Sequence, residues 1–370
     1  MMQGTLRSSV PRYLIAIGSI LLAIEATSQP RDVFVIKGVV RDSASGQPIE
    51  NVNVFLASTS HGVGTDHNGR YSLTAIPRGR YSLIFSRVGY ELKALGIDIT
   101  GRDTLVRDAT LAPRLISLTD IEVSANNAAG WHRNFELFSR ILLGDGPNAA
   151  RCEITNPDVI NFQFDPKTSI MQAAAPQPIH IVNRGLGYDV QLSISEFRWN
   201  TKEDFGYFLV YPLFAPLQPA SAEESNVWRA NRRTAYDGSL QLFFRSVYDG
   251  KTDEEGFVMQ KGDMEDLRHD RGKYVFPEEI RVERLRDSMY GRWTFDGWFR
   301  VNRKGESGIR ASYLELDRQG TLIDRLGSLD DPLSVRLLGR WAKERVSEML
   351  PLDEGDTIDA RPSSGMRSKH

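Results

Sequence analysis

From Val33 to Pro113 apolar and polar residues alternate in short runs, and turn-forming residues break the runs at regular intervals. Val33 with Val35, Gly38-Val39-Val40, and the stretches 52–56, 71–73 and 81–85 are strand-like by period and by their β-branched or aromatic content. Between them stand 43–48, 61–64, 66–69 and 77–79, each with the Gly, Pro, Asn or Asp that a tight turn requires. Several short strands at this spacing predict an all-β sandwich. Asp66-His67-Asn68-Gly69 groups oxygens as a calcium loop would. An EF-hand ends in a glutamate at its twelfth position, however, and counting from Asp66 that position is Pro77. The expected arrangement is a hairpin turn in which Asp66 accepts backbone amides and Gly69 takes a positive φ.

After residue 130 the period changes. Trp131, Phe135, Phe138, Ile141 and Leu142 fall on one helical face, and Gly144 supplies a stop. Strand-like runs follow at 159–164, 179–182, 188–197 and 205–214, and again at 257–260, 292–301 and 312–317. Helices are predicted at 223–236 and 239–248, the second with Leu240, Phe243, Phe244 and Val247 at i, i+3, i+4 and i+7. A closing amphipathic helix is expected from 332 to 350. Asp331 would cap it, Pro332 suits its first turn, Leu337, Leu338, Trp341 and Met349 form its apolar side, and Pro351 ends it. The pattern predicts a mainly β chain: an N-terminal sandwich, then an α+β domain with a largely antiparallel sheet and a C-terminal amphipathic helix.

The first 28 residues read differently. Arg7 and Arg12 precede an apolar run from 13 to 24, and Ala26-Thr27-Ser28 places small residues where a signal peptidase cuts. Glu25 interrupts the run before the length of about 20 that spanning a bilayer needs. No other stretch approaches that length without charges, so no transmembrane helix is expected in the mature chain. The expected organisation is a signal peptide at 1–28, a sandwich at 33–113, a linker at 114–130, an α+β domain at 131–352 and a disordered tail at 353–370. A formal charge of −2 lacks the basic excess of a nucleic-acid binder. The lone cysteine, Cys152, leaves an exported chain without an internal disulfide, and a buried structural thiol is its expected state.

The sandwich carries a specific set of motifs: Gly38-Val39-Val40-Arg41-Asp42, Ser45-Gly46-Gln47-Pro48-Ile49, Asn51-Val52-Asn53-Val54, 64–73, Ile76-Pro77-Arg78-Gly79-Arg80-Tyr81, and Val88-Gly89-Tyr90-Glu91. Their order and spacing resemble the carboxypeptidase regulatory-like family, a transthyretin-like sandwich. The resemblance implies an envelope protein of the Bacteroidota, where this unit often precedes TonB-dependent receptors. Residues 118–124 resemble the segment that follows it there; a last sandwich strand plus linker is expected, with a TonB-contacting role as the alternative. Roughly 225 residues then remain, too few for a plug and a 22-stranded transporter barrel. Stretches at 152–157, 183–188 and 228–239 resemble stand-alone envelope proteins of the same group.

The family name does not import peptidase chemistry. A zinc carboxypeptidase needs His-x-x-Glu, and no histidine here has a glutamate three residues on. Gly-x-Ser-x-Gly, His-Glu-x-x-His and Walker patterns are also missing, so no cofactor is expected. Trp228, Arg232 and Tyr236, at i, i+4 and i+8, share one helix face. A guanidinium flanked by rings is a candidate for a carboxylate, sugar or peptide, against the alternative of core packing with Arg232 paired to a carboxylate. The expected function is a non-enzymatic binding or structural module of the periplasm or outer membrane, its partner an envelope protein or a glycan. The alternative is an envelope hydrolase with its site in 131–352. Secretion should expose Gln29, so N-terminal sequencing of the protein recovered from its own cells should begin there; a sequence beginning at Met1 would refute the leader.

Overall fold

The sandwich is built from eight strands: β1 (Val33–Asp42), β2 (Asn53–Leu56), β3 (Gly62–Gly64), β4 (Arg70–Pro77), β5 (Gly79–Ser86), β6 (Lys93–Ile99), β7 (Thr104–Val106) and β8 (Ala109–Leu111). The computed structural model describes residues 33–101, 104–114, 128–286, 289–305, 311–317 and 319–353. The leader expected at 1–28, residues 115–127 of the linker, and residues 354–370 lie outside the described residues. One sheet has the order β4-β1-β7 with β8 also on β1, and the other is β3-β2-β5-β6. β1 pairs antiparallel with β4 and parallel with both β7 and β8. Alternate residues of each strand face the space between the sheets, where Ile36, Val40, Val54, Leu73, Leu83 and Phe85 are buried.

The 66–69 turn follows the chemistry expected of it. Asp66 Oδ1 accepts the amides of Asn68 at 2.9 Å and Arg70 at 2.8 Å, and Gly69 has φ +70°. A Cβ on Gly69 would lie 2.4 Å from the Val40 carbonyl, so neither the conformation nor the space admits a side chain.

The second region begins with α1 (Ala128–Leu143), which ends at Gly144 with φ +82°. Its face buries Phe138, Ile141 and Leu142 against a sheet. That sheet comprises β9 (Cys152–Ile154), β10 (Asn161–Asp165), β11 (Ile170–Ala174), β12 (Ile179–Asn183), β13 (Tyr188–Asn200) and β14 (Phe205–Pro216). Its order is β10-β11-β13-β12-β9, with β14 along the length of β13. Two helices follow, α2 (Ala222–Asp237) and α3 (Leu240–Asp249), each capped by a serine: Ser221 accepts the Glu224 amide and Ser239 the Leu242 amide.

β15 (Phe257–Gly262), the short α4 (Met264–Arg268), β16 (Lys273–Val275), β17 (Val282–Arg284), β18 (Tyr290–Trp293), β19 (Trp298–Arg303), β20 (Ser312–Leu316), β21 (Thr321–Asp324) and β22 (Val335–Gly339) complete the strands. They form the sheets β16-β15-β19-β20-β22 and β17-β18-β21. The chain is mainly β with antiparallel sheets, as the hydrophobic pattern predicts.

Two expectations are corrected. The run 292–301 is two strands in two sheets, because Gly297 at φ +83° turns the chain between them. Trp293 is buried and stacks on Phe299 at 6.0 Å, while Trp298 is half-buried on the next strand. The closing amphipathic helix is absent. Residues 332–334 form one 3-10 turn, 335–339 become β22 on the otherwise open edge of β20, and only α5 (Arg340–Lys343) is α-helical. Gly339, at φ +75° against the Ala311 carbonyl, makes the bend that separates strand from helix. Trp341 is still buried, its indole N–H donating to the Gly238 carbonyl at 2.9 Å. Asp353, read as the first residue of the tail, is held by Ser60.

Replacing Gly69 by alanine should destabilise the protein by more than about 1 kcal/mol, measured by urea unfolding, because it forces strain on the turn. Unchanged stability would mean that the turn is not held in the left-handed conformation.

Candidate functional site

The predicted helix face is present, and it is turned inward. Trp228 Nε1 donates to the Arg184 carbonyl at 2.9 Å and Asn231 Nδ2 to that of Gly185 at 2.7 Å. Arg232 Nε donates to Leu186 O at 2.7 Å, and its Nη2 to Gly187 O at 3.2 Å. Successive side chains of α2 thus take the successive carbonyls of the β12–β13 turn. The Arg232 guanidinium also lies 4.1 Å from the centre of the Tyr188 ring. Tyr236 is 1% exposed, and its hydroxyl accepts from Arg245 at 2.6 Å. Gly187, at φ +74°, lets Trp228 close on the turn; a Cβ there would sit 2.3 Å from the indole. The spacing brings Trp228, Arg232 and Tyr236 together as read, but what they hold is the chain's own 184–187 turn. No open ring-flanked guanidinium remains on this face.

Nor do the nucleophiles form a reacting group. Cys152 is half-buried, its thiol 3.5 Å from the Asn148 carbonyl, and burial, helped by the nearby Glu348 charge, pushes it up to about 12. It stays a thiol at neutral pH. Ser60, His61 and Asp353 lie together, yet the carboxylate is central: its Oδ2 accepts the Ser60 hydroxyl at 2.5 Å and lies 3.5 Å from His61 Nε2. No imidazole takes the serine proton, so the order a triad needs is not present. Among the described residues no three His, Cys, Asp or Glu side chains are grouped to hold a metal ion.

Two clefts lie where the sandwich meets the second region. The 57–61 turn of the sandwich inserts there: Ser58 N donates to Pro212 O at 2.7 Å, Phe214 N to Thr59 O at 2.9 Å, and Leu352 N to Ser58 O at 2.8 Å. On one side of this contact is an apolar cleft of ≈ 330 Å³ walled by Phe214, Leu240, Phe244, Trp341 and Leu350. On the other is a polar cleft of ≈ 330 Å³ containing Arg80, Tyr211, Tyr290 and Asp330. Arg80 spans it, 3.2 Å from Asp98 and 2.9 Å from Asp330, with its guanidinium 4.6 Å from the Tyr290 ring centre. Sequence reasoning missed this junction, since Thr59, Leu213 and Leu352 meet only through the tertiary fold.

Ser328 and Leu329 border both clefts and belong to a turn held by Asp324. Asp324 is 1% exposed, with Oδ1 accepting the amides of Leu326 and Ser328 at 2.8 and 2.9 Å. Its Oδ2 has no hydrogen-bond partner among the described residues. Burial raises its carboxyl to about 6, against the opposing pull of those amides and of Arg245 and Arg325.

With this geometry established, likenesses to known proteins define the N-terminal part. Residues 36–123 match the CarboxypepD_reg-like domain family. This part of the chain is a carboxypeptidase regulatory-like domain. The matched stretch runs past Pro113 to residue 123, into the segment read as a linker. TonB-dependent receptor P39 of Formosa agariphila is 40% identical over 78 residues, which are 21% of this chain and 7% of the receptor. The regulatory-like domain is therefore shared with a small part of a much longer protein. Among solved structures, the Klebsiella pneumoniae 5-hydroxyisourate hydrolase is 22% identical, covering 22% of this chain and 91% of its own, with a TM-score of 0.20. A cohesin–X-dockerin complex of Acetivibrio cellulolyticus is 15% identical over 22% of this chain and 58% of that one, with a TM-score of 0.19.

Because the Asp324 carboxyl is raised in the fold, its contribution to stability is fully present in acid and is lost as pH rises through about 6. Urea unfolding of the wild type and of Asp324→Asn at pH 4 and pH 7 should show the difference moving by about 2 kcal/mol in favour of the variant at pH 7. A difference independent of pH would mean that this carboxylate does not titrate in that range.

Proposed function

We propose that this protein is a non-enzymatic module of the cell envelope that binds or scaffolds another envelope component, a protein or a glycan. The observation that carries the reading is the regulatory-like domain at 36–123, shared with a TonB-dependent receptor. The way that domain is seated adds support. Its 57–61 turn is bonded into β14 and the 350–353 segment, so the two parts would present one continuous surface to a partner. Among the described residues no helix is long and apolar enough to cross a membrane. The polar groups of the junction clefts are spent on each other, as with Arg80 between Asp98 and Asp330, which suits holding better than turnover.

Cross-linking in intact cells, followed by affinity purification of the tagged protein and mass spectrometry, tests the reading. The expected result is a reproducible envelope partner lost when Arg80 is replaced by alanine or the 33–113 region is altered. Turnover of an ester, peptide or glycoside by the purified protein, abolished by one substitution, would overturn it.

A further inference from the structure

The outer face of the β10-β11-β13-β14 sheet carries a feature that no single stretch of sequence reveals. Gln163 pairs with Gln172, Gln172 with Arg198, and Arg198 with Tyr207, each the direct partner on the next strand. Directly opposed residues in antiparallel strands project to the same side, so these four form one row. At about 4.8 Å per strand the row is about 14 Å long. The inner face is the row beside it, where Met171 and Trp199 are buried in the core. Two residues along, Asp165, Ile170, Asn200 and Phe205 make a second outer row in the same register.

This face combines the polar row with exposed aromatic side chains. On this face Phe205 is 56% and Tyr207 37% exposed, whereas Phe164, 45% exposed on the edge strand, belongs by register to the inner row of Met171 and Trp199. A depression of ≈ 370 Å³ lies over the β10–β11 half, bordered by Gln163, Phe164, Asp165, Gln172 and Arg198. Gln172 and Arg198 are exposed, and neither makes a side-chain hydrogen bond or an ion pair among the described residues. The Tyr207 hydroxyl donates to Glu196 at 2.5 Å. Asp165 keeps its charge, its carboxyl lowered by the Thr168 hydroxyl and the Lys167 amide.

We infer that this face is a binding site for an extended neutral polysaccharide. A row of amides and a guanidinium beside a carboxylate both donates to and accepts from adjacent hydroxyl groups, as a sugar ring requires. The exposed rings of Phe205 and Tyr207, with Ile170 beside them, suit the apolar C–H faces of the same ligand. Charge selects against anions: Asp165 and Glu196 offset Arg198, leaving no positive excess for a phosphate or a polyuronate. The length of the row fits a chain rather than one ring. The inference rests on the binding-module reading and narrows it to one ligand class and one surface.

Affinity electrophoresis of the purified protein tests it, with gels containing mixed-linkage β-glucan, xyloglucan or galactomannan, and polygalacturonate as the acidic contrast. The expected result is retardation by at least one neutral polymer, weakened by about tenfold or more in Arg198→Ala and in Gln172→Ala. Arg229→Ala, an exposed change on α2, should leave retardation unchanged, and circular dichroism should show all three variants folded. Retardation only by polygalacturonate, no retardation in any neutral gel, or full retention by Arg198→Ala would each overturn the site. A cross-linked protein partner would survive such a result, so the two readings fail separately.

Discussion

The backbone hydrogen bonds of the 58–59 turn are the constraint on which the arrangement of the chain depends. Ser58 both donates to Pro212 and accepts from Leu352, and Thr59 accepts from Phe214. Thr59 is fully buried, and its hydroxyl is used internally, donating to Leu56 O and accepting from His61 N. Ser58 adopts φ 60°, a conformation a non-glycine residue tolerates only where the surroundings hold it. Phe55, Ala57 and Ile84 of the sandwich close over Tyr211 and Leu213 beside these bonds. The polar ladder fixes the register, and the small apolar cluster excludes water from it. Everything concave at the junction is a by-product of this insertion, since both clefts take their walls from residues the turn brings together.

Much of the fold is legible in the sequence for a physical reason that varies from place to place. Gly69 is readable because only a residue without a side chain fits a left-handed turn pressed against a carbonyl. The α1 face is readable because Trp131, Phe135, Phe138, Ile141 and Leu142 repeat at the helical period, which the period of two of a strand does not produce. The 332–350 segment misleads because Leu337, Leu338 and Trp341 satisfy a helical spacing and also fit a strand followed by a bend. The open edge of β20 decides between them, and sequence does not display an open edge.

The candidate site divides in the same way. That Trp228, Arg232 and Tyr236 share a face follows from spacing alone. Whether the face looks outward depends on what packs on it, and a half-buried arginine bonded to carbonyls has the same sequence signature as an exposed one awaiting a ligand. The glycines at 185 and 187 were the available hint, marking a turn close enough to receive the indole. The Gln163, Gln172, Arg198 and Tyr207 row offers no such hint, because strand register unites residues that are far apart along the chain.

β14 links these observations mechanically. One end, at Pro212 and Phe214, is bonded to the sandwich turn, and the other, at Phe205 and Tyr207, lies on the outer sheet face. Between them it is paired to β13 along nearly its whole length, interrupted by one irregularity between Ile194 and Glu196. A pull applied at the outer face would run along a single covalent strand to the seat of the sandwich, loading the hydrogen bonds of the ribbon in shear, all together, rather than opening them one at a time.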